Sequence, residues 1–459
     1  MAEIKEYEKY LKRKIYAAMP NGFDPYHLND MLFDWQDDLT TWSIKKGRAA
    51  LFEDCGLGKT PQQLVWAENI CEHTDKPVLI LAPLAVSMQT KREGVKFGIP
   101  VNICRDQSDV KSGINITNYE KLDRFHAFEF GGVVLDESSI IKNFTGKIRN
   151  QIIENFRNTP YKLACSATPA PNDHTELGNT AEFLGVMTRA EMLSMFFIND
   201  TGHTGTWRLK GHVKDNLFWQ WLCSWAAVIR KPSDIGYPDD KFILPELNII
   251  PSVIPFKVAK DSFPFLPENA TTLTEIRQAM RESLPERVKV AAELANNSDE
   301  QFLMWCNLND ESAALTRSIK GAVEVKGSDT QEHKEKAMLA FSDGNIKCLV
   351  TKPKIGGFGL NWQNCHNMAF VGLSHSYEQL YQAIRRCWRF GQEYPVNAHI
   401  ITGEREGNVV KNIERKERDM DQMYSGMINQ MKTFMAKEIR SDTEYNPKTA
   451  MKLPTFLTR

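Results

Sequence analysis

Ala49-Ala50-Leu51-Phe52-Glu53-Asp54-Cys55-Gly56-Leu57-Gly58-Lys59-Thr60, running on through Pro61 to His73, decides the architecture. Four apolar residues read as the end of a buried strand, the glycines as a tight turn, and Leu64, Val65, Ala67 and Ile70 as one face of a helix. Strand, glycine turn and helix in that order make a cradle for phosphate. The glycines let backbone N–H groups approach anionic oxygens, and the helix N-terminus turns its positive end toward them. Lys59 reaches the β- and γ-oxygens and Thr60 offers a hydroxyl to Mg²⁺. Gly56, Leu57 and Gly58 are thus candidate nucleotide contacts beside Lys59 and Thr60. A merely structural glycine turn is the alternative. The generic loop carries a glycine six residues before its lysine, and Glu53 stands there instead.

Two further segments belong to the same chemistry. Gly131-Gly132-Val133-Val134-Leu135-Asp136-Glu137-Ser138-Ser139 is a short β-branched run ending in adjacent carboxylates, at the carboxyl end of a strand where open α/β sheets bind ligands. Asp136 there can hold Mg²⁺ through water, and Glu137 can orient or deprotonate an attacking water. A solvated acidic loop is the alternative, and the position between the phosphate loop and Ser166-Ala167-Thr168-Pro169 favours the functional reading. Far along the chain, Gln382-Ala383-Ile384-Arg385-Arg386-Cys387-Trp388-Arg389-Phe390-Gly391-Gln392 brings arginines to phosphates. The first and last of these segments make sense together only if two halves of the protein close on one nucleotide.

With these residues in view, the chain resembles superfamily-two helicases of the DEAD/DEAH-box-like kind, and within them the Swi/Snf-like DNA translocases, over almost its whole length. Gln36 followed by Trp42 looks like the adenine-reading Q motif. Glu53 to Thr60 matches the acidic-acidic-x-Gly-Leu-Gly-Lys-Thr form of motif I, which accounts for the absent glycine. Val78 to Leu84 looks like motif Ia, with Pro83, and Ile116-Thr117-Asn118-Tyr119-Glu120 like motif Ib. Asp136-Glu137-Ser138-Ser139 stands where the family usually has Asp-Glu-Ala-His, and Ser139 in place of the histidine is the main departure. Ser166 and Thr168 occupy motif III, which couples hydrolysis to motion, with Pro171-Asn172 beyond it. Ile229-Arg230-Lys231-Pro232 and Leu244-Pro245 resemble the exit from the first lobe. Phe302 to Cys306 is similar to motif IV, Gly356 to Asn361 with Gly359 to motif V, and Gln382 to Gln392 to motif VI, with Arg386 and Arg389 at both family arginine positions. The resemblance implies an α/β fold of two tandem RecA-like domains, parallel sheets flanked by helices, with an ATP cleft between them. It also implies ATP and Mg²⁺ as cofactors, Glu137, Lys59, Arg386 and Arg389 as catalytic residues, and nucleic-acid contacts from Pro83, Thr117 and Asn118.

Composition agrees. A chain of 459 residues can build two or three domains with cores of their own. A net charge of −1 excludes a globally basic coat, so DNA affinity would come from a localised cleft. Nine cysteines without a C-x-x-C pair point to reduced thiols and a cytoplasmic address, and no apolar run has membrane-spanning length. The expected organisation is an N-terminal helical segment over 1–31, an ATP-binding RecA-like domain over 32–237, a proline-bearing linker over 238–256, a second RecA-like domain over 257–403, and a helical C-terminal tail over 404–459.

Two other segments stand apart. Thr201 to His212 is glycine-rich and basic, and its Arg208 and Lys210 suit a loop touching phosphates, with a plain surface hairpin as the alternative. In the tail, Met420, Met423, Met427, Met431 and Met435 share one helix face. That stripe is a partner surface or, the favoured reading, packing on the protein's own core. Three functions fit: a motor on duplex DNA, an RNA helicase, or an ATP-gated clamp without processive movement. The first is expected, in a compact bacterial or bacteriophage protein acting in replication, recombination or repair, as a monomer.

Overall fold

The architecture is that of a computed structural model, which describes residues 20–83, 86–171, 173–199, 207–211, 217–255, 273–356, 361–374 and 376–440. In the first lobe the strands are β1 Arg48–Glu53, β2 Val78–Ala82, β3 Val101–Ile103, β4 Ile114–Asn118, β5 Gly132–Asp136, β6 Tyr161–Cys165, the short pair β7 Phe197–Asn199 and β8 Trp207–Leu209, and β9 Ala226–Ile229. The second lobe contributes β10 Leu247–Ile254, β11 Phe302–Cys306, β12 Ala322–Val325, β13 Cys348–Thr351, β14 Asn367–Val371 and β15 Val396–Gly403.

Seven strands of the first lobe form a wholly parallel sheet in the order β3-β4-β2-β5-β6-β1-β9. Helices such as Lys59–Thr74, Lys147–Asn155 and Leu177–Leu184 cross between strands and cover its faces. That covering shows in the burial: β2, β5 and β6 are buried at every position, as strands covered on both sides must be. The second sheet is also parallel, in the order β10-β15-β14-β11-β13-β12, with helices including Leu284–Asn296 and Gln331–Ser342 against it. The molecule is therefore a tandem of RecA-like α/β domains. In each sheet all strands point one way, so every carboxyl end lies along one edge, where loops can converge.

The expected linker over 238–256 is only in part a connection. Residues Leu247–Ile254 pair in parallel with β15 along their full length, so the second sheet begins before the anticipated start at 257. Pro251 is tolerated because β10 is an edge strand, whose outer side needs no N–H donor. At the N-terminus, residues 20–31 form no helix, and 1–19 lie outside the described residues.

The tail is a helix, Gly407–Arg440, that leaves the second lobe and returns to the first. Met427, Met431 and Met435 are buried. Met435 Sδ accepts from the backbone N–H of Val228 at 3.4 Å, and Cys223 Sγ approaches the Met431 carbonyl at 3.9 Å. The methionine stripe thus packs on the protein's own first lobe at these positions. Tyr424 adds a hydroxyl bond of 2.5 Å to the carbonyl of Ala167, and Arg230 pairs with Asp421 at 2.8 Å. Among the described residues no helix is long and apolar enough to cross a membrane.

Met431→Ala removes a fully buried side chain from this seam and should destabilise the first lobe by about 2–4 kcal/mol. An unfolding curve superimposable on that of the parent protein would show that the helix does not pack there in solution.

Candidate active site

The phosphate loop leaves β1 and enters the helix Lys59–Thr74. Gly56 and Gly58 take positive φ, 88° and 79°, a conformation side chains resist. Space forbids a side chain as well: a Cβ on Gly58 would lie 2.3 Å from Gln36 Nε2, and one on Gly56 would lie 2.9 Å from the backbone nitrogen of Phe390 in the second lobe. The lobes thus touch at the loop itself. Gln36 donates from Nε2 to the carbonyl of Leu57 at 2.7 Å and accepts from the N–H of Phe33 at 3.0 Å. Its amide braces the loop, and Gln36 also lines the cavity between the lobes described below. Nearby, Phe33, Phe242 and Phe390 pack together, ring centroids 5.0 to 6.1 Å apart.

Lys59 Nζ donates to the carbonyls of Glu53 at 2.8 Å and Asp54 at 3.1 Å. Glu53 is fully buried, accepts from Gln62 Nε2 at 2.9 Å, and is pushed up to about 7 by burial, against the pull of Lys59. Asp136 ends β5, in register with Cys165 of β6, whose other neighbour is Leu51 of β1, so the acidic pair and the phosphate loop flank one strand. Asp136 Oδ1 accepts from Gln63 Nε2 at 2.8 Å. Glu137 sits at φ 54°, a left-handed conformation that costs a non-glycine residue of order 1 kcal/mol or more and recurs at functional sites. Burial raises both carboxyls, Asp136 raises Glu137 further, and Lys59 and Arg386 pull both back. Glu137 Oε2 is buried without a hydrogen-bond partner among the described residues.

The second lobe completes this chamber. The helix Tyr377–Ile384 ends at Arg385, and the turn after it carries Arg386 and Arg389. Arg386 is held by the carbonyl and side-chain oxygen of Gln382 at 3.0 and 2.8 Å. Arg386 and Arg389 line a cavity of about 340 Å³ together with Gly56, Gly58, Lys59, Thr60, Asp136 and Glu137. Burial, with Arg386 beside it, brings the Arg389 guanidinium down to about 10. Thr60 and Asp136 thus face the same space, an oxygen donor set that suits Mg²⁺. Gly359 lies outside the described residues.

A second cavity, of about 510 Å³, opens on the other side of Glu137 between the lobes, lined by Pro83, Tyr119, Ser139, Lys142, Lys334 and Lys354 among others. Lys142 pairs with Glu378 across the boundary, and Glu378 also accepts from the Thr168 hydroxyl at 3.3 Å, while the N–H of Thr168 donates to Ser166 Oγ at 3.0 Å. Ser166 and Thr168 therefore stand where one lobe meets the other.

The expected nucleic-acid contacts are scattered. Thr117 is buried in β4 and its hydroxyl donates to the carbonyl of Cys104 at 3.0 Å, so it presents no free donor to a strand; a sheet covered on both faces leaves β4 no wet side. Asn118 is buried at the end of the same strand. Arg208 is exposed on β8, in an antiparallel hairpin with β7, and Lys210 Nζ is tied to the carbonyls of Ser194 and Met195. The tip, 200–206, with 212–216, Leu84 and Asn172, lies outside the described residues.

Sequence reasoning missed Asp54, Tyr381, Arg385 and Glu378. Tyr381 and Arg385 are four residues apart on one helix face, which was visible. That they meet the acid preceding Cys55, some 330 residues away, was not.

Comparison with known proteins matches residues 286–391 to the helicase conserved C-terminal domain. The SWI/SNF-related matrix-associated actin-dependent regulator of chromatin subfamily A-like protein 1 of Xenopus tropicalis is 28% identical over 162 residues, 33% of this chain and 17% of that protein. The bifunctional helicase and thymine dioxygenase JBP2 of Trypanosoma brucei brucei is 29% identical over 104 residues, 22% of this chain and 10% of that protein. The match thus spans less than a fifth of either relative. The solved SWI2/SNF2 ATPase core of Sulfolobus solfataricus in complex with dsDNA is similar with a TM-score of 0.42 and 18% identity, over 91% of this chain and 98% of that one.

The Glu53 carboxyl gives the phosphate loop a pH signature. With its native value near 7 and an ordinary one of 4.5, its protonated form favours the folded state, a contribution present below about 4.5 and lost as pH rises through about 7. Glu53→Gln should therefore gain stability over the parent between pH 4.5 and 8, by on the order of 3 kcal/mol. Denaturant unfolding of both proteins across that range checks it, and a difference constant with pH would contradict it. A loop so built on one lobe thus faces arginines of the segment, 286–391, that is similar to the helicase conserved C-terminal domain.

Proposed function

We propose that the protein is a nucleic-acid-stimulated ATPase that couples ATP hydrolysis between its lobes to movement along duplex DNA. The observation that carries this reading is the shared chamber, into which the first lobe presents Lys59, Thr60, Asp136 and Glu137 and the second presents Arg386 and Arg389. In this reading Lys59 leaves the carbonyls of Glu53 and Asp54 for the β- and γ-oxygens. Mg²⁺, held through Thr60 and Asp136, would supply positive charge against the phosphates. Glu137, raised by burial and with one oxygen unpartnered, aligns the attacking water and takes its proton. Arg386 and Arg389 neutralise charge spreading over the transferring oxygens, in a chamber where low polarity strengthens them.

Because the arginines and the lysine belong to different lobes, turnover is tied to lobe geometry, and alternating geometry can shift grip along a strand. The route from hydrolysis to motion runs through Thr168 and Glu378, which join the loop after β6 to the arginine-bearing helix. Duplex DNA is favoured as the track by the motif I and motif VI forms of this chain, and contacts to it would be chiefly to phosphates and thus sensitive to salt.

Phosphate release should be stimulated by duplex DNA more than by RNA and be lost in Lys59→Ala and Glu137→Gln, while Arg389→Ala should cost on the order of 10³-fold or more in turnover. Stimulation by RNA alone would make the protein an RNA motor, and wild-type turnover in Glu137→Gln would overturn the assignment of the base. A triplex-displacement assay beside forked-duplex unwinding separates tracking from strand separation.

A further inference from the structure

Asp54 is a hub at the lobe boundary. Its carbonyl accepts from Lys59 Nζ at 3.1 Å, and its own N–H donates to the carbonyl of Ile229 at 3.0 Å, which anchors it to β9. Its carboxylate faces the other way. Oδ1 accepts from the N–H of Cys55 at 2.7 Å and from the hydroxyl of Tyr381, and Oδ2 pairs with Arg385 at 3.0 Å. The same guanidinium nitrogen of Arg385 also donates to the carbonyl of Cys55, inside the phosphate loop. Arg385 is almost wholly buried, and Cys55 Sγ adds a contact of 3.5 Å to Gln382 one turn earlier.

One residue therefore seats both sides of the chemistry. The lysine that reaches phosphate rests on the carbonyl of Asp54, and the turn that carries Arg386 and Arg389 is gripped by its carboxylate. Arg385 is the immediate neighbour of Arg386, so a shift at one moves the other. Burial alone would weaken the charge on Arg385, but the Asp54 carboxylate across the boundary offsets it. A buried ion pair of this kind contributes little net stability by itself, because desolvation offsets the attraction, so its retention at this point calls for a geometric reason.

We propose that Arg385, with Tyr381, is a positioning residue that sets the spacing between the phosphate loop and the arginines of the second lobe, by clamping Asp54 and the Cys55 carbonyl across the boundary. Arg385 touches no reacting atom. Its clamp fixes the site's dimensions before the transferring phosphate is in place, and misplacement by an ångström can cost on the order of 100-fold in rate. This inference rests on the ATPase reading above.

The test is steady-state ATP hydrolysis by the full chain, at saturating duplex DNA, for Arg385→Ala, Arg385→Lys and Tyr381→Phe, each with its thermal midpoint measured. In Arg385→Ala kcat should fall roughly 10-fold to 100-fold while KM for ATP changes less than about three-fold, because Lys59 and the loop still bind phosphate. Arg385→Lys keeps the charge on Asp54 and should recover part of kcat. Tyr381→Phe removes one hydroxyl and should lower kcat less, in the same direction; should Arg385→Ala fail to fold, it decides alone. An unchanged or raised kcat, an effect on KM only, or a kcat loss that follows the thermal midpoint with no recovery in Arg385→Lys would overturn the clamp. Failure of the underlying reading looks different: the parent protein would then hydrolyse no more ATP than Glu137→Gln.

Discussion

Four carboxylates, Glu53, Asp54, Asp136 and Glu137, are drawn out of water at one edge of the first sheet, and that withdrawal constrains everything around them. Burying unpaired charge is costly, so each is hydrogen-bonded, protonated more readily than usual, or faced by a cation. Of the cations that bear on them, Lys59 belongs to the same lobe. Arg385 and Arg386 come from the other and bear on Asp54 and on the Asp136–Glu137 pair respectively. Electrostatic balance of the phosphate loop is thus a property of the assembled pair of lobes. The two halves of the site are chemically incomplete apart, which is the condition for a reaction that depends on how they are arranged.

The arrangement has two lines of contact. One runs from the phosphate loop to the turn after Ile384, through Asp54, Cys55 and the close approach of Gly56 to Phe390. The other runs from the segments after β5 and β6 to Glu378, through Lys142 and Thr168 respectively. Both end on the single helix Tyr377–Ile384. A rotation of that helix would change the two together, so the glycine loop after β1 and the loop after β6 are mechanically joined without any long-range pathway having to be invoked.

Much of this was legible in the sequence where the signal is local. The strand, loop and helix around Lys59, the acidic end of β5 and the methionine stripe all follow from short-range patterning. What was not legible had a non-local cause. β10 carries Pro251 and follows a proline-bearing stretch, so it reads as linker; only its pairing with β15, some 150 residues later, makes it a strand. Thr117 fits a contact motif, yet its sheet is covered on both faces and its hydroxyl is already engaged. That the Gln36 amide bonds to the backbone of the glycine loop, 21 residues on, was not legible either. Arg385 lay in plain view inside the arginine run, and nothing within either segment indicates that its partner is Asp54.

The return of the helix Gly407–Arg440 to the first lobe has a consequence for how the chain is made. Cys223, Val228 and the loop after β6 are finished by residues from Tyr424 to Met435, so this lobe cannot close its own surface until the helix 208 residues beyond Cys223 has been translated. During that interval an apolar face waits for its cover, the situation in which nascent chains are exposed to aggregation.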